Sequence, residues 1–175
     1  PRSTQAKTLF PYTTLFRSGW AHLAAVIDCH DREVMSFVAE KRPLFHGDII
    51  RLIDQTITHR FGEFVTKLSG PIQWLSDQGP QYKAIQTVLY ASGFGFDVRT
   101  TPAYSPESNG IAEAFVKAFK RDYIYVNELW TAESVLRRLP EWFADYNRNH
   151  PHSGLQMRSP LEYREALSLN NKVSV

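Results

Sequence analysis

Ile72-Gln73-Trp74-Leu75-Ser76-Asp77-Gln78-Gly79 is a short apolar run that ends on an acid and opens into a glycine turn. A run of this length bounded by turn formers reads as a buried strand with Asp77 as its last residue. Open α/β sheets build their sites at the carboxyl ends of strands, so the position suits a functional carboxylate better than a structural one.

A second acid stands downstream in a comparable setting. Ser105-Pro106-Glu107-Ser108-Asn109-Gly110-Ile111-Ala112-Glu113 is turn-rich and runs into Ala114-Phe115-Val116-Lys117-Ala118-Phe119-Lys120-Arg121-Asp122-Tyr123. At about 100° per residue, Ile111, Phe115, Ala118 and Phe119 share one helix face, and Glu113, Lys117 and Lys120 form a stripe opposite. An acid with ammonium groups one and two turns further on suits a metal ion beside a phosphate backbone. Taken alone, the stripe reads more simply as a solvated face with Glu-to-Lys support at i and i+4.

The flanking chain supplies an α/β order. Residues 20–27 and 33–39 read as the strands of a hairpin around Cys29-His30-Asp31-Arg32, and residues 48–61 repeat apolar positions at three and four, as an amphipathic helix does. Residues 82–91 predict a helix stopped by Ser92-Gly93, and residues 96–100 a strand. After the Glu113 helix, residues 133–146 predict another, kinked or broken at Pro140. Asp28 and Asp31 sit where turn formers sit and are left out of the candidate site. His150 and His152 have no third ligand near in sequence and read as hydrogen-bonding or DNA-proximal groups rather than metal ligands.

Of the 175 residues, 43% are apolar and 13% aromatic, enough for one packed core. The single cysteine, Cys29, excludes an internal disulfide and a Cys-rich zinc module, and points to a reducing compartment. No apolar stretch is long enough to cross a bilayer, so a soluble, cytoplasmic protein without membrane partners is expected. A net charge of +2 is too mild to identify a nucleic-acid partner. Local clusters say more: Lys117, Lys120 and Arg121 lie together, as do Arg148, His150, His152 and Arg158.

Between the two acids lie 113 − 77 − 1 = 35 residues. With that interval the sequence resembles the DDE transposases of bacterial insertion sequences and the catalytic core of retroviral integrases, on four segments in order. These are Gly19-Trp20-Ala21-His22-Leu23-Ala24-Ala25-Val26-Ile27-Asp28; Trp74-Leu75-Ser76-Asp77-Gln78-Gly79-Pro80-Gln81-Tyr82; the Ser105 to Glu113 stretch; and Tyr146-Asn147-Arg148-Asn149-His150-Pro151-His152-Ser153-Gly154-Leu155 with Ser159-Pro160-Leu161-Glu162-Tyr163. The last resembles insertion-sequence transposases in particular.

The resemblance implies a ribonuclease H-like mixed sheet flanked by helices, spanning residues 19–167 with a closing helical segment and a tail at 168–175. It implies that Asp77 and Glu113 are catalytic and hold Mg²⁺, with Mn²⁺ as a substitute, for DNA cleavage and strand transfer. Lys117, Lys120 and Arg121, with Tyr104, Ser105 and Asn109 on the preceding loop, would touch DNA, and Gly79 would serve the backbone geometry after Asp77. The implied partners are transposon-end and target DNA, further copies of the chain, and an amino-terminal DNA-binding region or partner subunit. Two other readings remain: another ribonuclease H-like nuclease such as a resolvase, and a non-enzymatic DNA-binding or assembly remnant.

The amino terminus departs from this pattern. The family's first catalytic Asp would fall near Leu9 or Phe10, and residues 1–18 contain no acid. They repeat Thr-Leu-Phe at 8–10 and 14–16, place Pro11 where a ladder strand should donate hydrogen bonds, and resemble translated sequencing-adapter sequence. The expectation is that residues 1–18 replace a lost native first strand and that the chain as written is inactive; the competing reading is a genuine, diverged and catalytically dead homologue.

Overall fold

The computed structural model describes residues 5–8, 12–16, 19–101, 110–127 and 131–173. Six strands form one sheet: β1 (Gln5–Thr8), β2 (Tyr12–Phe16), β3 (Gly19–Asp28), β4 (Val34–Glu40), β5 (Ile72–Ser76) and β6 (Phe96–Thr100). β4 runs antiparallel along one edge of β3, while β2 and β1 run antiparallel along the other in succession. β1 then pairs in parallel with β5, and β5 with β6. Mixed strand directions follow from a hairpin joined to βα units.

β1 and β2 pair with separate parts of β3, Thr8 facing Val26 and Tyr12 facing Leu23.

Strand alternation sorts the core into two clusters. Ala24 and Val26 of β3 point to a cluster with Ile49, Leu52 and Ile53 of α1 (His46–Phe61), Trp74, Tyr82 and Phe96. Leu23, Ala25 and Ile27 point to the other, with Phe115 and Phe119 of α4 (Gly110–Phe119) and Leu139, Trp142, Phe143 and Tyr146 of α5 (Ala132–Asn149). β3 is therefore covered on both faces, which is why residues 20–27 read as a continuous apolar run rather than an alternation. α4 packs against α5 largely through rings: Phe115 and Phe119 of α4 stack with centroids 5.5 Å apart, and Phe119 stacks on Phe143 of α5 with centroids 4.9 Å apart.

Two sequence expectations need correction. The helix expected over 82–91 is two pieces, α2 (Pro80–Lys83) and α3 (Ile85–Gly93), separated by Ala84 at ψ 133°. The break lets Gln81 and Tyr82 turn inward, where the Gln81 carbonyl accepts a bond of 2.9 Å from Thr87 Oγ1. α5, expected to kink or break at Pro140, runs unbroken through it. Pro140 faces solvent, and the buried stripe of Leu139, Trp142, Phe143 and Tyr146 outweighs the one backbone bond it removes. A final helix, α6 (Pro160–Val173), carries the closing segment past residue 167. Among the described residues no helix is long and apolar enough to cross a membrane.

Candidate active site

β5 delivers Asp77 immediately beyond its last residue, with only 8% of its surface exposed. The Gly79 N–H donates to Asp77 Oδ1 at 2.7 Å, and Oδ2 has no hydrogen-bond partner among the described residues. Burial raises the pKa of Asp77, and the Gly79 bond offsets only part of that. The neighbouring frame is tied down: Thr101 N–H donates to the Ser76 carbonyl at 2.8 Å, and Gln78 Nε2 donates to the Thr101 carbonyl at 3.1 Å. Tyr82 packs close by, and burial first, then the Asp77 charge, raise its pKa.

Gly79 has φ −57° and ψ 140°, a conformation any residue adopts, so the expectation that it serves special backbone geometry is corrected. Its reason is space. A Cβ there would lie 2.9 Å from Asp77 Oδ1 and 2.8 Å from Gln81 Nε2.

Glu113 lies in the first turn of α4 and is exposed, as is Lys117, whereas Lys120 is half-buried where α4 passes into a π turn over Lys120–Ile124. The buried face of Ala112, Phe115 and Phe119 lies away from this stripe, as the periodicity predicts. Arg121 is exposed, and its guanidinium is already engaged: Nε donates to Asp122 Oδ1 at 2.5 Å and Nη2 to Oδ2 at 2.7 Å. Tyr104, Ser105 and Asn109 lie outside the described residues, as do Leu9 and Phe10.

Sequence reasoning passed over a second polar centre. Asp28, Asp31 and Glu33 are buried and converge on Arg60 of α1, whose Nη2 lies 2.8, 3.0 and 3.3 Å from their nearest oxygens. His59 Nε2 lies 2.9 Å from Glu33 Oε1, and Arg164 of α6 also pairs with Glu33. Asp28 and Asp31 do form the turn, accepting from His30 and Glu33 N–H at 2.7 and 3.1 Å. Only the unusual density of charge at 28–33 could have signalled the rest.

The sheet order, with parallel β1–β5–β6 beside an antiparallel hairpin and helices on both faces, is that of a ribonuclease H-like core. The Integrase core domain family matches residues 8–106 and 95–160. The chain is 39% identical to an insertion element IS136 protein of Agrobacterium fabrum over 148 residues, covering 84% of this chain and 75% of that protein. It is 37% identical to transposase InsD of insertion element IS2 from Escherichia coli, covering 82% of this chain and 47% of that one. In fold it is similar to the Mos1 transposase catalytic domain solved with raltegravir and Mg, with a TM-score of 0.64 at 16% identity, covering 81% of this chain and 71% of that one. The chain belongs to the integrase core domain family. Its relatives place it with the transposases of bacterial insertion sequences.

Proposed function

We propose that the chain is the catalytic core of a DNA transposase and that Asp77 and Glu113 are two of its metal-binding carboxylates. The observation that carries this reading is the state of Asp77: a buried acid at a strand end, steadied through one oxygen by Gly79, with the other oxygen unpartnered among the described residues. A buried carboxylate without a cation is costly, and a hard divalent ion is what such an oxygen suits. Glu113 makes no ion pair among the described residues, so its oxygens fit the same role. When bound, Mg²⁺ or Mn²⁺ would stabilise charge on the phosphodiester and activate water or a 3′-hydroxyl for in-line attack.

The protein's own groups then have distinct tasks. Asp77 must shed its proton to accept a cation, so metal affinity rises with pH across its elevated pKa. Lys117 and Lys120 hold the DNA backbone without reading sequence. Arg121 contributes less, because DNA would have to compete with Asp122 for its guanidinium. Tyr104, Ser105 and Asn109 on the preceding loop contact DNA near the cleaved bond.

The third acid is missing. Positions 9 and 10, where the resemblance places it, are Leu and Phe. Two acids hold one ion loosely and do not fix a two-ion geometry, so the chain as written carries out no Mg²⁺-dependent strand transfer. We read residues 1–18 as a replacement for the native strand, because they carry no acid, repeat Thr-Leu-Phe and include Pro11. Three proteins test this: the chain itself, its Leu9→Asp variant, and a chain whose first strand is rebuilt as a continuous acid-bearing ladder, each given transposon-end DNA and any required amino-terminal partner. Strand transfer is expected only from the third, and robust transfer by the first would overturn the missing-ligand reading. A non-enzymatic DNA-binding remnant is the second reading, favoured by the same missing acid, and it requires DNA retention indifferent to Mg²⁺.

A further inference from the structure

A cavity of about 400 Å³ lies between the β3–β4 turn, α4 and the closing segment, outside the carboxylate site. Its polar lining is Arg32, Tyr146, His150, His152 and Ser153, and among the described residues no acid lines it. Arg32 Nη1 and His152 Nε2 are buried, and neither has a hydrogen-bond partner among the described residues. Two such atoms on residues that line one cavity ask for an explanation, because buried donors are ordinarily satisfied. Arg32 is also held at φ 64°, a left-handed conformation that its side chain disfavours.

We propose that this cavity is an anion site that takes a phosphate of the DNA backbone, with the Arg32 guanidinium and the His152 ring as its donors. The proposal rests on the transposase reading for the identity of the anion. Guanidinium is the group of choice for phosphate, offering several N–H donors in a fixed fork. The volume lies within the range of ligand sites and exceeds what a buried water or two would need. Position on the helix supports the source. Ala114 and Ala118 of α4 line the cavity, roughly 60–140° around the helix from Glu113 and Lys117 at about 100° per residue. A strand lying along the Glu113–Lys117 stripe would thus run beside the helix face that, with Arg32, lines the cavity. His152 is held neutral by burial first, then by His150 and Arg32, with its pKa lowered to about 4. It therefore donates one N–H as a neutral ring, and Arg32 supplies the charge.

The charged groups around the cavity agree with an anion. His150 leans on Asp122 at 3.5 Å, and Asp122 is already paired with Arg121. Asp122 is thus engaged elsewhere, and Asp31 and Glu33, which flank Arg32 in sequence, are paired with Arg60 and Arg164. This assigns a task to the His150-Pro151-His152 segment, which the carboxylate site leaves unused.

The test has two arms. In the first, inorganic phosphate is titrated into the protein at constant ionic strength while the Arg32 Nε–H and His152 ring resonances are followed by NMR; a saturable shift, abolished in Arg32→Gln, is expected. In the second, affinity for a short duplex is measured across a salt series for the wild type, Arg32→Gln, Arg32→Lys and Lys117→Ala. Arg32→Gln is expected to bind severalfold more weakly and to flatten the slope of log affinity against log salt by about one, with Arg32→Lys restoring the slope. Melting temperature should hold or rise in Arg32→Gln, because the atom removed has no partner. If Lys117→Ala flattens the slope and Arg32→Gln does not, the transposase reading stands and the cavity proposal falls. If phosphate shifts the resonances while the duplex slope is indifferent to Arg32, the site takes a free anion and the DNA assignment falls. No shift with phosphate overturns the site itself.

Discussion

At the scale of single residues, Gly79 shows why Asp77 is positioned rather than merely present. A Cβ at 79 would meet the Asp77 carboxylate at 2.9 Å, so Gly79→Ala should push the carboxylate aside and weaken metal binding severalfold while costing little stability. Thermal melts beside a Mn²⁺ titration check this, and unchanged metal affinity would count against the role of Asp77. The raised pKa of Asp77 has a further consequence: the ionised form is penalised in the folded state, so Asp77→Asn should raise stability at neutral pH while removing metal binding. That the residue matters was legible from its place after an apolar strand and before a glycine. Why glycine follows was not, because the constraint is a distance to Gln81 and to the carboxylate that only the folded turn creates.

At the scale of elements, α4 and α5 hold the Glu113 stripe in place. Phe119 is buried among Phe115, Tyr123, Trp142 and Phe143, and Phe119→Ala should cost about 3–5 kcal/mol by denaturant unfolding. Thr131 caps α5, its Oγ1 accepting from Ser134 N–H at 3.1 Å, and Thr131→Ala should cost about 1 kcal/mol. Pro140→Ala should stabilise, because Pro140 is exposed inside a continuous helix and Ala returns a backbone donor. The helical periods of α1, α4 and α5 were readable because each has a single buried face. The division of α2 from α3 and the passage through Pro140 were not, since tertiary packing of Tyr82 and of the α5 stripe overrides local breaking and joining signals.

At the scale of the whole molecule, Arg60 ties the β3–β4 turn to α1, and Arg164 brings α6 to two of the same acids, Asp31 and Glu33. Arg60→Met would leave buried carboxylates uncompensated and should cost about 3–5 kcal/mol. Burial alone would raise Glu33, but the His59 bond and the charges of Arg60 and Arg164 more than offset it and hold its pKa below the ordinary 4.5. Glu33 therefore contributes stability that is fully present above pH 4.5 and is lost as pH falls through its lower folded value. Asp28 works the other way, its pKa raised by burial and by Asp31, so its protonation relieves a penalty in mild acid. Glu33→Gln should flatten the acid limb of a stability profile, and an unchanged limb would place the acid sensitivity elsewhere. The central claim is that Asp77 and Glu113, 35 residues apart in sequence, share one metal ion. Mn²⁺ binding followed by water-proton relaxation tests it most directly: the chain should bind one ion weakly, and Asp77→Asn and Glu113→Gln should each abolish that binding while the protein stays folded. Binding that survives either substitution would contradict it.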